Sequence, residues 1–462
     1  MNGPSCHPGK AGGGGRGAGP RTRERGAVLV IVLWVAFGLV SLTLYFAHSM
    51  GMELRAADHR SSGLAAEQAI AGAARYVTNV LHLATVSGRL PDRWSYRAEA
   101  VPVGEATFWL IGRGDASDGA NRLYFELVDE SSRLNLNAAS IEVLQWLPRM
   151  TPELAAAIVD WRDTDSEPSP GGAEDEVYLR LNPPYRCKNG PFESVEELRL
   201  VHGMDLEILF GEDTNWNGVL DANENDGEAS PPFDNRDGRL DPGLIEYVTV
   251  SSREPAMTPT GTARLDLSAD GIDEAAVGSL LQERFGTERG NEILARLGAL
   301  AEGFGSVLQF YIRSGMTADE LAQVEEDIRV AGPEGDWGKV NVNTASETVL
   351  ACLPGIGPEN APTLVAHRRS LNLDVPTLAW VTEVLGEEDA IRAGPYLTGR
   401  SYQFSADIAA VGPYGRGYRR ERWVFDTEGG TVRMVARRDL THLGWALGPE
   451  TRRELLLTGG AR

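Results

Sequence analysis

Arg21-Thr-Arg-Glu-Arg-Gly26 is followed directly by Ala27-Val-Leu-Val-Ile-Val-Leu-Trp-Val-Ala-Phe-Gly-Leu-Val-Ser-Leu-Thr-Leu-Tyr-Phe-Ala47. The run from Ala27 to Ala47 holds no charge. At about 1.5 Å rise per residue it spans roughly 30 Å as a helix, the thickness of a bilayer's hydrocarbon core. The basic cluster precedes it, so the positive-inside rule predicts a cytoplasmic N-terminus, with everything after Ala47 on the far side. From Met52 to about Leu83 the apolar positions Leu54, Ala57, Leu64, Ala65, Ala69, Ala73, Tyr76, Val77 and Val80 recur at three- and four-residue steps. That spacing predicts an amphipathic helix continuing the apolar one.

Three readings of the N-terminus compete. A secretory signal has a shorter apolar run and a small-residue cleavage site after it. Here the run is longer, and Ser49, Met50 and Gly51 make a poor site. A plain signal anchor fits length and charge. In the third, a prepilin-type signal, cleavage falls before the apolar run, between Gly26 and Ala27, and the run stays on the mature chain. In most pilin-like proteins the fifth mature residue is Glu; here that position is Ile31. A carboxylate in the apolar layer needs a partner, and in those families the partner is taken to be a neighbouring subunit's N-terminal amine. A subunit without the acid suits a filament's end. In these features the chain resembles the K-type minor pseudopilins of type II secretion, which also lack the Glu and are larger than their fellow pseudopilins.

The chain's 462 residues suffice for two or three domains with ample core. Its formal net charge is −22. The first 26 residues hold Lys10, Arg16, Arg21, Arg23 and Arg25 against Glu24, a net +4, which leaves −26 on the remainder. Such acidity disfavours nucleic acid, whose binding rests on phosphate neutralisation, and is compatible with divalent cations. Cys6 lies in the leader; Cys187 and Cys352 could pair in an oxidising compartment, but spacing alone establishes no bridge.

Strand signals at 106–113 and 122–129 flank the turn residues Gly112, Gly114, Gly119 and Asn121. An internal repeat follows. Leu134-Asn-Leu-Asn-Ala-Ala-Ser140 leads to Leu147-Pro148 and Leu154–Arg162; Val340-Asn-Val-Asn-Thr-Ala-Ser346 leads to Leu353-Pro354 and Ala361–Arg368. The copies align without a gap at an offset of 206 residues. Arg264-Leu-Asp-Leu-Ser-Ala-Asp270 and the helix-like residues to Leu300 read as a decayed third copy. Asn, Ser and Thr before each helix predict caps, so the region reads as helix-hairpin-helix-like units. In the second copy, Leu353-Pro-Gly-Ile-Gly-Pro358 resembles the hairpin of DNA-binding modules, where Gly355 and Gly357 would let backbone N–H groups approach phosphate. The same glycines equally suit a tight turn between helices, and the first copy, Leu147-Pro-Arg-Met-Thr-Pro152, lacks both. In Asp160-Trp-Arg-Asp163, with Asp165 and Glu174, we read Trp161 as core and the acids as helix-end charges; no nucleophile or histidine accompanies them.

The most specific chemical signal is Asp213-Thr-Asn-Trp-Asn-Gly-Val-Leu-Asp-Ala-Asn-Glu224, which fits the twelve-residue calcium-loop pattern at every constrained position. Calcium takes six to eight oxygens in a flexible cage. Asp213, Asn215 and Asn217 offer side-chain oxygens, Val219 a carbonyl, Asp221 a direct or water-mediated oxygen, and Glu224 two. Gly218 permits the sharp turn. A partial echo with Asp234, Asp237 and Asp241 would be a poorer site or lend ligands to the first. Calcium would be structural, and the K-type resemblance implies calcium in a helical domain.

Strand signals return at 402–409, 422–425 and 431–436, with a turn at Glu428–Gly430. The expected fold is α+β: a pilin-like membrane-spanning helix plus an antiparallel sheet, with a large helical domain inserted between strands. Expected segments are a leader (1–26), spine helix (27–83), first strands (84–130), helical insert (131–400) with the calcium loop at 211–246, and closing strands (401–462). The resemblance implies a non-enzymatic subunit at the tip of a periplasmic pseudopilus, anchored once in the inner membrane and exporting folded proteins. Its partners would be other minor pseudopilins, the inner-membrane platform and prepilin peptidase. The alternative is a membrane-anchored DNA receptor using Gly355 and Gly357.

Overall fold

The computed structural model describes residues 24–84, 88–114, 121–229, 231–268, 272–298, 300–331, 338–371 and 376–459. Residues 1–23, including Cys6, lie outside them, as do Gly119 and Asp270. The chain divides into two units, residues 1–61 and 62–462. A single helix, Glu24–Ala84, runs through the expected spine. Its stretch from Val28 through Phe46 is exposed along its length. Among the described residues it is the one helix long and apolar enough to cross a membrane.

In the second unit the C-terminal part of this helix packs on an antiparallel sheet. Ala66, Ala69, Ile70, Ala73, Ala74, Val77 and Leu81 meet Phe108, Leu110, Phe404, Ala406, Ile408 and Phe425. The alanines bring the helix close to the sheet. Phe425 and Ile408 are fully buried, each contributing about 1.5–3 kcal/mol. Two glycines are required by this approach. A Cβ on Gly412 would sit 2.2 Å from the Ser62 carbonyl, and one on Gly417 would sit 2.4 Å from the Gly63 nitrogen.

The sheet contains β1 (Val101–Val103), β2 (Ala106–Ile111), β3 (Val128–Asp129), β10 (Gln403–Gly412), β11 (Arg416–Asp426) and β12 (Arg433–Asp439). Its order is β1-β2-β10-β11-β12, with β3 also pairing β10. The strands from the two ends of the unit therefore pair with each other, Ala409 opposite Trp109. Every residue of β10 is buried, because Trp109, Ile111, Ala409, Val411, Ala446 and Leu447 form a second apolar layer on the far face. The strand expected over 122–129 shortens to β3 and one bridge, Ile111 to Phe125. β2 pairs with β1 and β10 instead of forming a hairpin with it.

Between β3 and β10 in sequence lie three short parallel pairs: β4 (Leu134–Asn135) with β5 (Val248–Thr249), β6 (Leu265–Asp266) with β7 (Ile328–Arg329), and β8 (Val340–Asn341) with β9 (Leu397–Thr398). The same turn opens each. Asn135 Oδ1 accepts from the N–H of Asn137, Asn341 Oδ1 from that of Asn343, and Asp266 Oδ1 from that of Ser268. The region at Arg264 is thus a genuine third copy, with Asp in the place of Asn. Ser140, Thr151 and Ser346 cap their helices as expected. Beyond the first copy Val195–Leu200 forms a 3-10 helix, and beyond the second Val381–Val384 forms a single helical turn. Cys187 and Cys352 are both buried free thiols.

Candidate metal centre

The helix Leu206–Phe210 ends at Gly211, whose φ of +60° and lack of a Cβ admit the Asp241 carbonyl. The chain then delivers Asp213 into a buried loop. The Asp213 carboxylate accepts from the N–H groups of Asn217 (3.0 Å) and Gly218 (2.9 Å). Asn215 Oδ1 accepts from the Asn217 N–H, and Asn217 Oδ1 from that of Val219. Gly218 holds φ +74°. Glu224, ten residues further along, reaches back to accept from the Thr214 N–H (2.9 Å) and from that of Asp221 (3.0 Å). Asp213, Asn215, Asn217 and Glu224 are all buried. This is the wrap and turn that a twelve-residue cation loop requires.

The centre of the loop is filled by its own groups. The amides of Asn215 and Asn217 both donate to Asp221 Oδ2, at 2.7 and 3.0 Å. Burial, reinforced by Glu224 and against the pull of Arg113, pushes the Asp213 carboxyl up to about 7. Burial likewise raises Glu224. Buried carboxylates short of counter-charge are the chemistry a divalent cation satisfies, so the donor set fits calcium.

The echo behaves differently. Asp234 accepts from the N–H groups of Gly227 and Arg236, and Asp237 from that of Arg239. Asp241 pairs with Arg149 at 2.5 Å. Asp234 and Asp237 thus close their own turns, as Asp residues in loops do. The link to the main loop is Glu212, a residue the sequence reading passed over: its carboxylate accepts from the N–H groups of Asn235 and Asp241.

The outer side of the loop is fixed by two arginines, also missed in sequence. Arg113 donates to the Trp216 carbonyl (3.0 Å) and pairs with Glu246 (2.7 Å). Arg420 on β11 is fully buried and donates to the carbonyls of Asn215 and Trp216. It also grips Asp407 on β10 at 2.7 and 2.5 Å. Asn121 exchanges hydrogen bonds with the backbone of Leu220, a buried anchor. The signal for the Arg420 contacts was its partner Asp407, the one charge in the buried strand Gln403–Gly412.

At the hairpin that the alternative reading brings to phosphate, Gly355 (φ +80°) lies against the helix Glu387–Ala393: a Cβ there would sit 2.4 Å from the Asp389 carbonyl. The Glu359 carboxylate lies beside Gly357, 2.5 Å from where its Cβ would be. Close packing and a carboxylate at the helix start are the surroundings of a tight turn and oppose an anion. Gly26 and Ala27 fall within the N-terminal helix, and Ile31 on it is exposed.

Trp161 is core, as expected. Asp160 is fully buried and accepts from the Ser169 N–H, and Asp163 and Glu174 occupy helix-end positions. The sequence did not reveal that Asp163, Asp165 and Glu174 converge. Among the described residues they are the one trio of acids with ligand atoms all within 4.8 Å of one another.

The fold defines an α+β protein with an apolar N-terminal helix and a second helical stretch laid on an antiparallel sheet. Residues 132–210, which hold the first repeat copy and the acidic trio, match the family described as type II secretion system (T2SS), protein K. Type II secretion system protein K of Pectobacterium carotovorum subsp. carotovorum is 31% identical over 208 residues, covering 41% of this chain and 61% of that one. The protein of the same name from Klebsiella pneumoniae is 34% identical over 116 residues, covering 21% of this chain and 35% of that one. The chain therefore spans under two thirds of the length of these relatives. A solved GspK-GspI-GspJ complex from the enterotoxigenic Escherichia coli type 2 secretion system aligns with 81% of this chain and 95% of that one, at 14% identity and a TM-score of 0.37. The resemblance to secretion protein K drawn from the sequence is borne out by the family match and the curated relatives.

Proposed function

We propose that this chain is a minor pseudopilin that ends the pseudopilus of a type II secretion system, with calcium as a structural fastener of its head. One observation carries the reading: a long apolar helix continues without a break into a helix packed on an antiparallel sheet, and its fifth residue after Gly26 is Ile31. Cleavage between Gly26 and Ala27 would leave that helix on the protein. The missing carboxylate gives no handle for a further subunit's amine, so growth stops there. The helix sits once in the inner membrane with its N-terminus in the cytoplasm, and the head lies in the periplasm. The head is the antiparallel sheet with residues 131–400 as an inserted helical domain of three repeat units. It works by assembly with other minor pseudopilins and the inner-membrane platform, without catalysis.

Calcium would be held by Asp213, Asn215, Asn217, the Val219 carbonyl, Asp221 and Glu224, after displacing the two amide hydrogens from Asp221. Bound there it neutralises buried acids and locks the loop that Arg420 and Arg113 join to the sheet. The test of assembly is site-specific photocrosslinking from Ile31 and Val35 in cells that express the other pseudopilins. Crosslinks to minor pseudopilins, with one copy of this chain at a filament end by immunogold, support the reading. Crosslinks to the major subunit along the shaft overturn it.

A further inference from the structure

We propose that the groove around Trp94 is a docking site for an acidic peptide segment of another protein. Its volume is about 340 Å³, and its walls include Trp94, Tyr124, Phe125, Arg93, Arg97 and Arg122. Trp94 is 81% exposed, although tryptophan is a side chain that proteins bury where they can. The turn that carries it is tied down. The Trp94 N–H donates to Asp92 Oδ1 (2.9 Å), and Ser95 donates to the Asp92 carbonyl through both its N–H and its hydroxyl. On the other side the Tyr96 hydroxyl accepts from the Leu127 N–H, and the Arg97 N–H donates to the Tyr76 hydroxyl, both at 2.8 Å. An indole presented by a fixed turn loses little freedom on binding, which is what an interface anchor needs.

Charge selects the partner. The chain after residue 26 carries −26, yet among the described residues three arginines line this groove against one acid, Glu99. The Arg93 guanidinium lies 4.6 Å from the Trp94 ring centre, and that of Arg122 lies 4.9 Å from the ring centre of Tyr124. Stacking uses the face of a guanidinium, whereas carboxylates are bound by its edge. Rings and cations together therefore suit a segment that carries both acidic and apolar side chains.

A second observation points the same way. Arg93 also lines a neighbouring cavity of about 640 Å³, whose wall includes Arg133. Arg133 is 4% exposed, its Nη1 has no hydrogen-bond partner, and Glu130 approaches that nitrogen only to 3.8 Å. The acids of this cavity are committed: Glu246 to Arg113, Asp129 to Ser401, Thr344 and Asn341, Glu126 to the Gly114 N–H, and Glu347 to the first turn of a helix. A buried donor without an acceptor is costly, and a carboxylate entering past Arg93 supplies one.

The test is selection of a random dodecapeptide phage library on the full chain in detergent. Fluorescence anisotropy of the most enriched peptide then compares wild type with Trp94→Ala, Arg97→Glu and Arg122→Glu. All three side chains are exposed, and unchanged far-UV circular dichroism checks each variant's fold. We expect the enriched sequences to be rich in Asp and Glu. Trp94→Ala should weaken binding about thirtyfold, the loss of a hot-spot anchor. Each charge reversal should weaken it about tenfold and flatten its salt dependence. Enriched peptides without an acidic excess, or equal binding to wild type and Trp94→Ala, overturn the proposal. So does oligothymidylate that displaces the peptide and binds more tightly, which would make the groove a nucleic-acid site. A wild-type dimer in sedimentation that Trp94→Ala abolishes assigns the groove to a second copy and overturns the proposal as well. Each of these failures leaves the reading of the N-terminal helix untouched.

Discussion

Replacing Arg420 by Met should loosen the 213–224 loop and the sheet together. Its guanidinium is fully buried, makes two contacts with Asp407 and donates to two loop carbonyls. Methionine fills similar volume but leaves the Asp407 carboxylate buried without its cation, and the Asn215 carbonyl loses this donor. The Trp216 carbonyl keeps Arg113. Breaking a buried pair by removing one partner costs about 3–5 kcal/mol. Unfolding entropy of about 2.1 cal/mol/K per residue gives roughly 0.8 kcal/mol/K for the unit of about 400 residues, so the melting temperature should fall by about 4–6 °C. The double variant Arg420→Met with Asp407→Leu should recover more than half, since the orphan charge is gone, while calcium affinity stays weakened. Calorimetric melting of the three proteins with calcium and with chelator reads both effects. A drop under 1 °C for Arg420→Met, or a double variant no better than the single, would refute the view that this pair fastens loop to sheet.

Other consequences follow from single residues. Chelating calcium from wild type should lower the melting temperature by about 3 °C, from the roughly 2.7 kcal/mol supplied at a hundredfold excess over Kd; Glu224→Gln should reduce the chelator effect measured in the same scans. Glu254 is buried, which alone would raise its carboxyl, but Lys339 at 2.7 Å and Arg264 hold it down at about 2 against an ordinary 4.5. Its contribution of about 3 kcal/mol is present above pH 4.5 and is lost as pH falls toward 2, so urea midpoints of wild type and Glu254→Gln should converge across that window. Gly355→Ala should cost about 2–3 kcal/mol, since φ is +80° and the Cβ meets the Asp389 carbonyl. Duplex DNA should bind neither the variant nor the wild type at moderate salt in a fluorescence anisotropy titration.

Much of this was legible because it depends on local chemistry. An uncharged run beside arginines, alanines at helical spacing and two gapless Asn-rich copies each point to one structure. The wrap of the 213–224 loop was legible for the same reason, since its carboxylates, amides and glycine lie within twelve consecutive residues. In the echo, Asp234 and Asp237 accept from backbone N–H groups of the turn, which a pattern cannot distinguish from ligation. The third repeat copy stayed faint because Asp266 performs an asparagine's role. What lay beyond the sequence is long-range: β2 finds β10 across about 300 residues, Arg420 reaches the loop from another strand, and the 163–174 trio forms only when a loop closes on Asp160.

The central claim is that the apolar N-terminal helix remains on the working protein as the anchor of a filament subunit. Intact mass and N-terminal sequencing of the chain extracted from membranes of cells with prepilin peptidase test it most directly. A mature chain that begins at Ala27 and partitions with the membrane is the expected result; one that begins after Ala47 and is released to the soluble fraction contradicts it.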